Sequence, residues 1–196
     1  ILHTSMHKHL PNFFVFMDQF NNQIFKNNNT NIGVIYRNYK ASNRETELIK
    51  IAKECKKKRY PLYVSNDLKL ALKVQADGIY IPSFNKTKRF LNMGKKNFMI
   101  LGSAHNQKEI QEKISQKCRA IFLSPVFNVK KSKNFLGLHK FNFLSYSNKI
   151  SILALGGISE RNIRMVHLLH ASGFGGISMF KKKTGLKKAG FLKNKF

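Results

Sequence analysis

The sequence predicts a single compact (β/α)8 barrel on three observations: eight short apolar runs, helical patterns between several of them, and polar or glycine residues just past their carboxyl ends. The runs are NFFVFMD at 12–18, IGVIYR at 32–37, PLYVS at 61–65, GIYI at 78–81, FMILGS at 98–103, AIFLS at 120–124, SILALG at 151–156 and FGGIS at 174–178. Each is a continuous apolar stretch of the length and β-branched or aromatic content that a strand buried on both faces requires. A doubly wound open sheet is the alternative, because 196 residues is near the lower limit for a closed barrel.

The connections follow in order. The first, QFNNQIFKNNNTN, is too polar to specify a helix. RETELIKIAKECKKK at 44–58 places Leu48, Ile49, Ala52 and Cys55 at helical spacing. LKLALKVQ follows Asn66-Asp67, either of which can cap it. The connection after strand four must be short. NQKEIQEKISQK at 106–117 sets Ile110 and Ile114 four apart, and ERNIRMVHLLH at 160–170 puts Ile163, Val166 and Leu169 on one helical face. The expected domain is 12–180, followed by a basic tail at 181–196 that either extends the last helix or frays.

Composition narrows the function. A 42% apolar content excludes global disorder. The 36 Lys and Arg against 9 Asp and Glu give a net charge of +27, which ordinarily raises nucleic acid as a partner. Here Lys is accompanied by abundant Asn, Ile and Phe, all residues with A/T-rich codons, so genome composition alone accounts for a basic surface. No RNA-binding aromatic pattern or zinc-finger spacing is present. The expected partners are anionic small molecules, with homo-oligomerisation open. Cys55 and Cys118 are the only cysteines and form no CxxC motif, so they read as reduced thiols of a cytoplasmic protein. No apolar run approaches the length of a membrane span. A first residue of Ile leaves the amino terminus open to being trimmed or incomplete, and His3, His7 and His9 read as part of a flexible start.

In a barrel the strand carboxyl ends form the active face. Asp18, Arg37, Asn66, Asp67, Ser103, Ser124, Gly156, Gly157 and Ser178 stand at those ends. Arg37 can grip a phosphate through two N–H groups, Asp67 can offer a carboxylate oxygen to Mg²⁺, and the Gly156-Gly157 amides can receive a second phosphate. For an isolated Gly-Gly a tight turn is the better explanation, and an N-cap explains Asp67 as well as metal binding does. Ser103 lies near His105, but two neighbouring loop positions without a third partner do not make a nucleophile and base.

The ordered set of motifs resembles the thiamine phosphate synthase and TenI family. PLYVSNDLKLALKVQADGIYI is similar to the family's Asn-Asp after strand three and Ala-Asp-Gly before strand four. GSAHNQKEI, AIFLSPVF and ALGGISERNI resemble its strand-five Ser, its strand-six turn and its double glycine, and Gly173 to Phe180 resembles its last strand. The resemblance implies condensation of hydroxymethylpyrimidine diphosphate with a thiazole phosphate, releasing diphosphate, with Mg²⁺ as cofactor. It assigns Arg37 and Asn66 to the diphosphate, Asp67 to the metal, and Ser103 to the substrate or leaving diphosphate. Gly156, Gly157 and Ser178 would hold the thiazole phosphate, and Lys131 or Lys133 would supply the catalytic-loop lysine.

Departures accompany the resemblance. Ile35 and Tyr39 stand where the family usually has Gln and Lys. YIPSFN replaces a His-Leu-Gly-Gln-acidic segment, so Asn85 falls near the second metal carboxylate, and a neutral amide is the weaker Mg²⁺ ligand. SPVFNVKKSK lacks the two threonines of the strand-six loop. Two other functions stay open. One is the thiazole tautomerase activity of some relatives, against which stands Pro125 after Ser124 in place of a His after Gly. The other is a non-catalytic barrel that binds a phosphorylated ligand.

Overall fold

The structure, a computed structural model, describes residues 9–26, 32–39, 41–90, 98–129 and 134–176. Lys131, Lys133, Ser178 and the basic tail at 181–196 lie outside the described residues. Eight parallel strands close a barrel in chain order: β1 Phe13–Met17, β2 Ile32–Tyr36, β3 Leu62–Ser65, β4 Gly78–Ile81, β5 Met99–Ala104, β6 Ala120–Leu123, β7 Ser151–Leu155 and β8 Phe174–Gly176. Between them run α1 Asn22–Phe25, α2 Arg44–Lys58, α3 Leu68–Lys73, α4 Gln107–Ser115 and α5 Gly137–Tyr146. Closure is made by β8 pairing with β1, Phe13 opposite Phe174. The open-sheet alternative is therefore excluded.

Two-residue periodicity sorts each strand into an outward and an inward set. Val15, Val34, Val64 and Ile79 belong to the core shared with the helices. Phe14, Phe16, Ile35, Tyr63, Tyr80, Leu101, Phe122 and Leu153 fill the barrel itself. Aromatic rings dominate this interior: Phe122 meets Phe14 edge-on at 5.0 Å and Phe16 at 5.3 Å, and Phe16 meets Tyr80 at 5.4 Å. Such ring pairs contribute about 0.5–1.5 kcal/mol each beyond the area they bury. The bulk is accommodated where facing strands have no side chain, since a Cβ on Gly33 would lie 2.7 Å from the Phe14 ring and one on Gly175 2.9 Å from Phe16.

Helix α2 spans the predicted segment. Glu45 and Glu47 in its first turn and Lys56, Lys57 and Lys58 in its last complement the helix dipole. Asn106 caps α4 by accepting the Glu109 N–H at 3.0 Å. Three connections differ from expectation. The first holds a one-turn helix, α1, because Asn21 Oδ1 accepts the Gln23 N–H at 3.0 Å and Ile24 and Phe25 are buried. Residues 160–170 are not an α-helix but a 3₁₀ segment, Ile163–Leu168. Asn162 delays its start by accepting the Ser159 N–H at 2.8 Å, and Asn142 ends it by capturing the His170 N–H at 2.7 Å. Helix α5, which the sequence patterns did not place, is anchored by buried Phe141 and Leu144.

Candidate active site

Strand register carries the inward set up to the mouth. Ile35 lies opposite Phe16, Ser65 opposite Tyr80, and Ser103 opposite Phe122. Arg37 continues the β2 inward positions, and its guanidinium sits over the Phe16 ring, 5.4 Å from the centroid. Its backbone N–H is fixed to Met17 O at 2.7 Å. The side chain has no carboxylate partner among the described residues, so its charge is available to an anion and is supported by the ring face beneath it.

Ser103 is buried and stands one inward position beyond Leu101, which lies opposite Tyr80. Burial pushes the Tyr80 phenol up to about 12, so it remains a neutral hydroxyl under ordinary conditions. The Ser103–His105 pairing does not form, because His105 is half exposed and its Nδ1 lies 2.8 Å from Glu109 Oε2. Tyr39, at the position where a Lys was expected, reaches back so that its hydroxyl lies 2.7 Å from Ser65 Oγ. Its ring meets the exposed Phe84 edge-on at 6.2 Å.

The β3 end is the most heavily bonded part of the mouth. Asn66 adopts a left-handed backbone with φ 58°, a conformation that Asn tolerates better than other side chains. Its N–H donates to Tyr80 O at 2.9 Å. Asp67 caps α3, with Oδ1 accepting the Leu70 N–H at 2.9 Å. Its other oxygen, Oδ2, takes a 2.8 Å hydrogen bond from Arg44 Nη1, while Arg44 Nη2 donates to Ser65 O at 2.9 Å. Asp67 thus satisfies the cap reading and keeps a side chain that is 31% exposed. Asn85, in the loop after β4, donates through Nδ2 to Asn66 Oδ1.

The glycine turn is built differently. Gly156 and Gly157 have φ of 91° and 72°. A Cβ on Gly156 would lie 2.8 Å from Pro125 Cα, and one on Gly157 would lie 2.5 Å from Phe127 O. Bare backbone is needed there because the β6 loop packs directly against it. Phe127 N–H donates to Gly156 O at 3.1 Å and Asn162 Nδ2 to Gly157 O at 2.8 Å. Arg37, Ser103, Asn66, Asp67 and Asn85 therefore gather around β2 to β5, and Gly156-Gly157 stands on the β6–β7 side.

Three participants were not anticipated from sequence. Arg44 carried a signal: a cation in the first turn of a helix opposes the dipole, and here a carboxylate holds it. Lys113 also did, lying one helical turn from buried Ile110 on the apolar face of α4. Tyr80 looked like strand filling, and only the β4–β5 register, with Tyr80 opposite Leu101, places it one inward position below Ser103.

Whether these residues suit a magnesium ion turns on the donor set. Mg²⁺ is commonly held by one or two carboxylates together with substrate phosphates. Asp67 supplies one carboxylate, shared with Arg44, and no group of three or more His, Cys, Asp or Glu side chains clusters among the described residues. The site therefore fits an ion that arrives with phosphate oxygens and does not fit an all-protein cage.

Fold and site together define a (β/α)8 barrel protein with a polar, arginine-bearing mouth. The chain belongs to the TMP-TENI family, thiamine monophosphate synthase, whose family model matches residues 25–181. It is 30% identical over 143 residues to a second, provisionally named thiamine-phosphate synthase of Aquifex aeolicus, covering 70% of this chain and 77% of that one. It is 34% identical over 141 residues to the thiamine-phosphate synthase of Prochlorococcus marinus subsp. pastoris, covering 67% of this chain but only 39% of that longer protein. The fold is shared with the thiamine phosphate pyrophosphorylase of Pyrococcus furiosus, at a TM-score of 0.73 and 19% identity over 94% of both chains. It is also shared with 3-keto-L-gulonate-6-phosphate decarboxylase of Vibrio cholerae, at 0.67 and 12% identity over 95% of this chain and 97% of that one. No helix among the described residues is long and apolar enough to cross a membrane.

Proposed function

We propose that this chain is a thiamine phosphate synthase, a cytoplasmic transferase joining hydroxymethylpyrimidine diphosphate to thiazole phosphate with release of diphosphate. The observation that carries the reading is the gathering of Arg37, Asn66 and Asp67 at adjoining strand ends in a chain of this family. Arg37 binds the diphosphate as a charge already seated on a ring and unspent on any described carboxylate. Asn66 donates an amide N–H to the same group. Asp67 is the residue that would hold Mg²⁺, and the chemistry such an ion would supply is neutralisation of charge on the leaving diphosphate. Ser103, buried at the β5 end, hydrogen-bonds substrate. The amide groups of Gly156 and Gly157 take the thiazole phosphate on the opposite side.

The test is formation of thiamine phosphate from the two substrates by the purified chain, with and without Mg²⁺, beside a heat-denatured control. Mg²⁺-dependent product is expected. Folded protein that yields none, under conditions where a known synthase turns over, overturns the reading and leaves a barrel that binds a phosphorylated ligand.

A further inference from the structure

The bonds around Asn85 determine which way two side-chain amides face. Thr87 N–H lies 2.8 Å from Asn85 Oδ1. A backbone N–H can only donate, so the atom it meets must be the amide oxygen, and the usual ambiguity between the two ends of an Asn side chain disappears. Asn85 Nδ2 is then the end that faces Asn66, and Asn66 must answer with its oxygen. What Asn66 retains is Nδ2, a two-proton donor with no partner among the described residues.

The backbone of Asn85 is pinned from behind. Lys113 Nζ donates to Asn85 O at 2.7 Å, Gln116 Nε2 donates to the same oxygen at 3.0 Å and to Thr87 O at 2.8 Å, and Gln116 Oε1 accepts from Lys113 Nζ at 2.8 Å. Lys113 is 0% exposed. A lysine withdrawn this far from water is tolerated only where its protons are matched, and two of its matches are this loop carbonyl and the glutamine that shares it. Strand β5 makes room for the lysine stem, since a Cβ on Gly102 would lie 2.9 Å from Lys113 Cδ.

We propose that Asn85 is a positioning residue and not a metal ligand: held by Lys113 and Gln116, it turns the Asn66 amide so that its N–H pair is presented to a phosphate group at the β3 end. This rests on the reading of that strand end as the diphosphate side. It gives the departure from an acidic residue at this position a physical sense, because a carboxylate at 85 could accept from Thr87 N–H but would have nothing to donate to Asn66 Oδ1. Asn66 would then turn its N–H pair toward residue 85 and its oxygen toward the anion.

The probe is inorganic diphosphate, titrated calorimetrically into the full chain without divalent metal. Asn66→Gly deletes the amide while keeping a left-handed backbone, and Asn85→Ala deletes its positioner without changing charge. Asn66→Gly should weaken binding about tenfold and Asn85→Ala about fivefold, with the double variant no weaker than Asn66→Gly alone. Gln116→Leu, behind the Asn85 backbone and also charge-neutral, should weaken binding severalfold with an unchanged circular dichroism spectrum. Asn85→Asp, which restores the acidic residue, should weaken diphosphate binding further in the presence as in the absence of Mg²⁺. Independent, multiplicative losses in the double variant overturn the proposal, as does tighter Mg²⁺-dependent binding by Asn85→Asp or no diphosphate binding by the unaltered chain. An intact cycle in a protein that forms no thiamine phosphate would instead overturn the proposed activity and leave the positioning role standing.

Discussion

The β2–β4 side of the barrel mouth is held by side chains, and the β6–β7 side by backbone. On the first, Tyr39, Ser65, Arg44 and Asp67 form one chain of hydrogen bonds and Asn85 with Asn66 a separate pair, the two together spanning three strand ends. On the second, the β6 loop lies against two glycines with no room for a methyl group. The difference teaches where each side is vulnerable. A side-chain network loses one bond at a time and can exchange partners with a ligand, whereas a backbone contact fails as a unit.

The sharpest way to break that comparison is Gly157→Ala. The substitution combines a φ of 72° with a Cβ 2.5 Å from Phe127 O and 2.7 Å from Asn128 O, all backbone atoms that cannot rotate away. A loss of roughly 3 kcal/mol is expected from the strain and the displaced loop together. Urea unfolding measures it. A midpoint within a few tenths molar of the unaltered chain would mean that the two loops part easily and that the contrast drawn here is false.

Smaller effects are expected on the side-chain half, and there stability and activity should separate. Arg44→Ala removes the ion pair with Asp67 and the bond to Ser65 O, for about 2 kcal/mol. Asp67→Asn keeps the cap, because Asn and Asp serve equally at that position, and should cost only about 1 kcal/mol. Activity should run the other way, with Asp67→Asn losing at least tenfold in thiamine phosphate formation while Arg44→Ala, which frees the carboxylate, loses less. Thermal melting beside product formation checks both. Full activity in Asp67→Asn would reduce Asp67 to its cap.

Sequence periodicity revealed the strands because a strand buried on both faces writes its position as an unbroken apolar run. The strand-end residues followed from parity alone: Arg37 lies two residues beyond inward Ile35, and Ser103 two beyond inward Leu101. What stayed hidden depends on pairing between distant elements. That Arg44 serves Asp67, 23 residues on, or that Lys113 serves Asn85, is a consequence of barrel closure that no local window contains. The 3₁₀ segment at 163–168 shows the same limit in reverse: its helical pattern is genuine, but Asn142 on a neighbouring helix decides where it stops.

Alkaline pH offers the gentlest test, because it loads the part of the chain before β6 and not the glycine turn. Cys55, Tyr63, Tyr80 and Cys118 are buried acids that precede β6, and burial raises each of them, Tyr80 and Cys118 to about 12. In the unfolded chain the thiols ionise near their ordinary 9.0 and the phenols near 10.0, while the folded chain keeps those protons. The unfolded state therefore binds fewer protons, and stability falls as pH rises past 9.0, by about 1 kcal/mol per thiol at pH 9.5, then more steeply once the phenols join. Lys113 opposes this: burial lowers it, so the destabilisation it imposes at neutral pH is relieved toward 10.5, but one base stands against six acids, Tyr36 and Tyr60 being raised by burial as well. The urea midpoint should drop between pH 8 and 10.5, and Tyr80→Phe should flatten the part above pH 10 without altering the part below it. A midpoint that held level would mean that water reaches these groups, and the side-chain half would then be looser than its hydrogen bonds describe.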